Sequence, residues 1–251
     1  MKRFLIVFIL FLAVFSLNAK EHQALIDSAN HFYTQGQYEK AVKYYEEVLD
    51  KGYESAGLYY NLGNAYYKTH NISSAILNYE RARLRDPGNE DIAYNLELAR
   101  KQITDRIEKI PEFFLTRWIT QFIHLSGTDL WAVISMVTFL AFLVLLTSYL
   151  FSRRFNLKRL FFWLALIFFV VSISSFYFSY RQKQDIVENK KAIVFSPKVT
   201  VESTPSESGT DLFVIHEGLK VEILREMGDW YEIRLSNGNV GWIRKEDVKR
   251  I

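Results

Sequence analysis

Leu130–Phe151 reads LWAVISMVTFLAFLVLLTSYLF, and Leu160–Tyr180 reads LFFWLALIFFVVSISSFYFSY. Neither run contains a charged residue. A helix needs about 20 apolar residues to cross the hydrocarbon core of a bilayer, and each run reaches that length. Between them SRRFNLKR carries Arg153, Arg154, Lys158 and Arg159 and no acid. A short, basic, acid-free loop belongs on the cytoplasmic side. The pattern therefore predicts transmembrane helix 1 over 130–151, a cytoplasmic loop over 152–159 and transmembrane helix 2 over 160–180. Whatever precedes and follows this hairpin then faces the same outer compartment. The alternative for two such runs is the buried core hairpin of a soluble protein.

The chain opens Met1-Lys2-Arg3, continues with the apolar FLIVFILFLAVFSL, and turns polar at Lys20-Glu21-His22 after Asn18-Ala19. This predicts a signal peptide over 1–19, cut after Ala19. Leu17 is larger than the usual small residue at that place, which leaves an uncleaved anchor as the alternative. Either form exports residues 20–129, so the start of the chain and the charge of the hairpin loop give one topology independently.

From His22 to about Arg106 the sequence is helical and repeats itself. Asn30 recurs as Asn64, Phe32 as Tyr66, Tyr33 as Tyr67, Ala41 as Ala75, Tyr45 as Tyr79 and Glu46 as Glu80, each pair 34 residues apart. Small residues at Ala29, Ala41, Gly63 and Ala75 let helices approach closely. Asp86-Pro87-Gly88 ends a helix. Residues 90–106 read as a capping helix, because an open stack leaves an apolar face wet.

The 34-residue period, with Tyr59, Leu62-Gly63, Tyr66, Ala75, Tyr79, Ala82 and Pro87 in order, resembles the tetratricopeptide-repeat family over residues 20–110. In that family the first helix of each pair lines a concave, peptide-binding groove. The resemblance implies that Asn30, Tyr33, Tyr60, Asn64, Tyr67, Lys68 and Tyr94 face a partner here. The alternative is that the tyrosines are packing and solvated surface. Some members clamp a C-terminal carboxylate with two Lys, two Asn and an Arg. Asn30 and Asn61 match that set, but Ile26 and Asp91 stand at the Lys positions and Asn95 at the Arg position.

Residues 111–129 place Phe114, Leu115, Trp118, Ile119, Phe122 and Ile123 on one helical face, with Arg117, Thr120, Gln121 and His124 opposite. Next to a transmembrane run this predicts an interfacial amphipathic segment lying on the membrane. A last solenoid helix packed on the repeats is the other reading.

After a linker at 181–189 the period changes from helical to alternating. Ala192–Val194, Val199–Val201, Asp211–Ile215, Lys220–Leu224, Trp230–Leu235 and Val240–Ile243 read as short strands separated by turns at 205–209, Glu217-Gly218, Met227–Asp229 and Asn237-Gly238. Short strands at this spacing predict a small all-β barrel over 190–251. The run EGLKVEIL…GDWYEIRLSNGNVGWI resembles the bacterial SH3-like domain. Trp230 and Trp242 are expected at core or edge positions rather than in a ligand groove.

The composition narrows the chemistry. Net charge is +3 with acids and bases mixed outside the hairpin, so nothing points to nucleic acid. The absence of cysteine excludes disulfides, thiolate metal sites and a cysteine nucleophile. The five histidines form no H-x₃-H or H-E-x-x-H pair, and no phosphate loop, dinucleotide fingerprint or nucleophile elbow occurs. The expectation is a non-enzyme with no catalytic residues, no cofactor and no metal.

The order signal, repeats, transmembrane hairpin, SH3-like domain resembles the BatE-type proteins of Bacteroides aerotolerance (Bat) operons. That resemblance implies a cell-envelope scaffold in the bacterial inner membrane, working beside von Willebrand-type Bat proteins and a MoxR-type ATPase. The residues themselves point to a membrane-anchored adaptor whose repeats and SH3-like domain face the periplasm and bind membrane or periplasmic proteins. The alternative is a cell-wall protein whose SH3-like domain grips peptidoglycan.

Overall fold

In the computed structural model residues 22–107, 113–188 and 190–251 are described. The predicted signal peptide, 1–19, lies outside them. The repeat helices and the C-terminal strands belong to one compact unit, and the apolar helices with residues 110–190 belong to another.

The repeat unit begins with α1 (residues 22–34), followed by α2 (Tyr38–Asp50), α3 (Ala56–Lys68), α4 (Ile72–Arg85) and α5 (Glu90–Arg100). Local chemistry sets the helix ends. The Ser55 hydroxyl accepts from Leu58 N at 3.1 Å and caps α3, and Asn71 Oδ1 accepts from Ser74 N at 3.1 Å and caps α4. After α1 the chain turns at Gly36 with φ +75°, and 34 residues later it makes the same left-handed turn at His70 with φ +60°. Gln37 N donates to Phe32 O, and Asn71 N donates to Tyr66 O, so both turns close the same way.

Packing follows the period. Ala29, Ala41, Tyr45, Val48, Leu58 and Leu62 form the core of the first pair, and Tyr59, Ala82 and Ile92 that of the second. Gly63 is required by contact rather than by conformation. A β-carbon there would stand 2.7 Å from the Tyr79 ring.

The C-terminal sheet has seven strands: β1 (Lys191–Val194), β2 (Lys198–Glu202), β3 (Asp211–His216), β4 (Lys220–Met227), β5 (Trp230–Arg234), β6 (Val240–Arg244) and β7 (Val248–Arg250). The ladders are antiparallel, in the order β3-β2-β6-β5-β4-β1-β7. Alternating residues such as Val201, Ile215, Val221, Ile233 and Ile243 bury one face. The predicted turns at Gly218, Gly228 and Gly238 all have positive φ. One strand more is present than the alternating pattern announces. β7 is three residues long and follows a 3-10 turn over Lys245–Asp247, too short to show a period.

Within the same unit the sheet packs on α4 and on the residues after α5. Residues 73–80 of α4 are all buried. The Glu80 carboxylate, 3% exposed, accepts from Lys220 Nζ of β4 at 2.5 Å and from the Arg100 guanidinium of α5. Ser73 Oγ donates to Glu217 at 3.2 Å, and Asp105 accepts from the His216 backbone N–H at 2.6 Å. Ile107 joins the sheet core. The expected capping helix over 90–106 is thus helical only to Arg100, and its remainder is a strap against the sheet.

In the second unit α6 (Phe114–Ile123) precedes α7 (Thr128–Phe151) and α8 (Phe155–Glu188). α7 and α8 are long and apolar enough to cross a membrane, with mean hydropathy 2.5 and 2.2. Only 6% and 17% of their most apolar stretches is buried, which does not fit the core hairpin of a soluble protein. They pack along a seam with a seven-residue period, Thr128, Ser135 and Phe142 on α7 and Ala165, Ser172 and Ser179 on α8. Ser135 Oγ donates to Ser172 O and Ser172 Oγ to Ser135 O, both at 3.0 Å. Small residues at such a seam let backbones approach where no hydrophobic force drives them together.

Two boundaries differ from expectation. The loop predicted at 152–159 is non-helical only at 152–154, and the linker predicted at 181–189 is helical through Glu188. Charge marked these stretches as loop, but Gln, Lys and Arg are good helix formers once outside an apolar run.

Candidate partner-binding site

The residues expected to face a partner lie on the first helix of each pair. Asn30 and Tyr33 are on α1, Tyr60, Asn64, Tyr67 and Lys68 on α3, and Tyr94 on α5. Lys68 and Tyr94 are exposed, and the other five are half-buried.

The asparagines are tied into the fold. Tyr45 OH donates to Asn30 Oδ1 at 2.6 Å, and Tyr79 OH donates to Asn64 Oδ1 at 2.7 Å. Asn61 Nδ2 reaches Asn30 Oδ1 at 3.4 Å, and Asn95 Nδ2 reaches Asn64 Oδ1 at 2.9 Å. Each Asn therefore receives a hydroxyl from its own helix pair and an amide from the next pair. This ladder gives a packing reason for the recurrence of Asn30 and Asn64. Asn61 and Asn95, themselves 34 residues apart, complete it, and their spacing was a signal the sequence already carried.

The ladder also organises the tyrosines. Asn95 Nδ2 donates to Tyr60 OH at 3.0 Å, and Gln102 Nε2 donates to Tyr67 OH at 2.6 Å. The Tyr33 ring meets Tyr38 edge-on at 5.2 Å. Burial pushes the Tyr45 phenol up to about 12, with Tyr33 adding to it. Burial, then Tyr60, raise Tyr79 as well. These phenols stay protonated and act as hydroxyl donors. With the amide oxygens of Asn30 and Asn64 and the hydroxyl oxygens of Tyr60 and Tyr67 already accepting, the surface keeps O–H and N–H donors and aromatic edges for an incoming chain.

The sheet offers less. Trp242 is 7% exposed with the Arg225 guanidinium 5.9 Å from its ring centre. Arg244 covers Trp230 at 5.4 Å, and Lys245 and Arg250 flank Tyr231 at 5.4 and 5.0 Å. Cations occupy the aromatic faces that a proline-rich peptide would need. Among the described residues no group of three or more His, Asp or Glu could hold a metal ion.

Comparison with known families agrees with the two resemblances. Residues 26–90 match the tetratricopeptide-repeat family model, and residues 199–249 match the bacterial SH3 domain model. No curated protein matches the chain. The repeats and the SH3 domain suggest protein-binding or cell-wall-associated roles.

Proposed function

We propose that this chain is a non-catalytic adaptor of the bacterial cell envelope, of the BatE type. α7 and α8 anchor it in the inner membrane. The repeats and the SH3-like domain face the periplasm, and the first helices α1, α3 and α5 hold an extended segment of another membrane or periplasmic protein. The Bat resemblance makes von Willebrand-type Bat proteins the first candidates. α6 lies on the membrane surface with Phe114, Trp118, Ile119 and Phe122, each more than half exposed, in the headgroup region.

The observation that supports this reading most is the pair of half-buried tyrosines on α3: the Tyr60 and Tyr67 hydroxyls accept from Asn95 and Gln102, which leaves their O–H groups to donate to the carbonyl groups of an extended backbone. The anchoring has separate support. The unit formed by the repeats and the sheet draws on chain before and after the hairpin, which suits a topology in which the start of α7 and the end of α8 lie on one side of a bilayer.

The test is affinity purification of the full chain from native membranes with mass spectrometry, comparing the parent with a Tyr33→Ala, Tyr67→Ala, Tyr94→Ala variant. These changes leave the Asn30 and Asn64 bonds in place, and circular dichroism checks that the repeats are folded before recovery is compared. Loss of the co-purifying proteins supports the reading. Unchanged recovery, together with retention on isolated sacculi, moves function to peptidoglycan and the SH3-like domain.

A further inference from the structure

We infer that the SH3-like sheet is the end cap of the repeat stack, and that it holds α5, the last helix of the partner-binding surface, in register. The sheet thus sets the shape of that surface without touching the partner.

The two repeats differ where the sheet lies. Residues 39–46 of α2 alternate between exposed and buried, whereas their equivalents 73–80 of α4 are buried without a break. Glu46 is exposed and accepts from the Tyr66 hydroxyl of the next helix. Its equivalent Glu80 is enclosed, Arg100 stands in the place of Tyr66, and Lys220 arrives from the sheet. A carboxylate this buried needs such cations to remain charged.

The strap after α5 shows the fit from the other side. Gly218 turns with φ +84°, and a β-carbon there would stand 2.5 Å from Ile103 Cγ2 and 3.4 Å from Ile76 Cδ1. The backbone of the β3–β4 turn therefore rests directly on apolar side chains from α4 and the strap. The sheet's outer strands are engaged too: the His216 N–H of β3 goes to Asp105, and the Arg250 carbonyl of β7 accepts from Arg81 at 2.9 Å. A solenoid needs its terminal apolar face covered. A stack this short has no third pair to do it, and the sheet supplies the cover.

Arg100 and Asn95 make α5 the link. Arg100 binds Glu80 under the sheet, while Asn95 one turn earlier donates to Asn64 and Tyr60 on the partner side. Releasing the sheet loosens α5 and with it the donors it orders.

The experiment is hydrogen exchange on the full chain in nanodiscs. Glu80→Lys should speed exchange of the α5 amides about tenfold or more, as sub-global opening does. Adding both Lys220→Glu and Arg100→Glu should restore protection, because both ion pairs of Glu80 are then remade with reversed sign. Unchanged exchange in Glu80→Lys overturns the inference. So does failure of the paired reversal to rescue, which would confine the effect to α4. A cross-link checks the contact independently. The Ile103 Cβ lies 3.5 Å from a β-carbon built at Gly218, within the roughly 3.5–4.5 Å of a disulfide. In this cysteine-free chain, Ile103→Cys with Gly218→Cys should form one intramolecular bond on mild oxidation. No bond in a variant with parental α5 exchange overturns the docking. Neither readout involves a partner, so failure here leaves the proposed function standing.

Discussion

Tyr79 and Glu80 are adjacent in α4 and serve different neighbours. The Tyr79 hydroxyl donates to Asn64 of α3, and the Glu80 carboxylate accepts from Lys220 of the sheet. One turn of one helix thus joins the two domains. Removing residues 191–251 uncovers Ile76 and strips Glu80 of a cation, so loss of a partner after such a truncation does not place that partner on the sheet. Point changes separate the two.

Gly63→Leu should destabilise the repeats by about 1–3 kcal/mol. The leucine side chain must enter space held by the Tyr79 ring, 2.7 Å from the β-carbon position. Thermal melting of the full chain in detergent reads the loss, and an unaltered melt contradicts the Gly63–Tyr79 contact.

His70→Gly should stabilise the repeats by about 1 kcal/mol, the order of the penalty an L-residue bears in the left-handed region. His70 is exposed at φ +60°, so little packing is lost. Urea titration followed by far-UV circular dichroism measures the shift. A loss of stability would mean that the imidazole makes a contact worth more than the strain.

Burial works to raise the Glu80 carboxyl, but Lys220 and Arg100 overcome it, and its pKa is lowered from 4.5. A lowered acid stabilises the fold at pH above its unfolded pKa and loses that contribution as pH falls through the folded one. The Glu80 contribution to docking should therefore be constant from pH 7 to pH 5 and weaken only below about pH 4.5. Glu80→Gln should cost about 3 kcal/mol at pH 7, the low end for breaking a buried pair because Lys220 and Arg100 keep some water. Its difference from the parent should shrink in acid, as denaturant midpoints across the range will show.

Single cysteines report the topology, since the chain has none of its own. Tyr53→Cys and Leu212→Cys replace exposed residues, 40% and 48% accessible, on either side of the hairpin. An impermeant maleimide added to intact spheroplasts should label both and leave Asn156→Cys untouched until lysis. Labelling of Asn156→Cys in intact spheroplasts would reverse the orientation.

Ser172→Ala should cost less than about 1 kcal/mol, the typical worth of an intramembrane hydrogen bond. Ser172→Leu should separate α7 from α8, because Ser172 is 5% exposed at the seam. Fluorescence transfer between labels at the two helix ends distinguishes them, and equal behaviour of the two variants argues against the seam.

Much of this architecture is legible in single residue types. Two charge-free runs place α7 and α8, Asn30/Asn64 and Tyr45/Tyr79 announce the helix pairs, and Gly218, Gly228 and Gly238 mark the turns of the sheet. The candidate surface on α1, α3 and α5 was legible only in part. Asn30 and Asn64 recur because they brace helices, a role that spacing cannot tell from recognition. The docking of the sheet left no trace in the sequence. Glu80 looks like any acid on an amphipathic helix until Lys220 is beside it, and no period links residues so far apart in the chain.

The enclosure of α4 also has a history in time. Glu80 and Lys220 are 140 residues apart, and synthesis runs at about 5–20 residues per second, so the cation follows its carboxylate by about 7–28 s. During that interval the repeats are complete while β4 is still unmade, and Ile76 and Glu80 stand uncovered. The newborn protein thus passes through a stage in which its first domain is folded but unfinished.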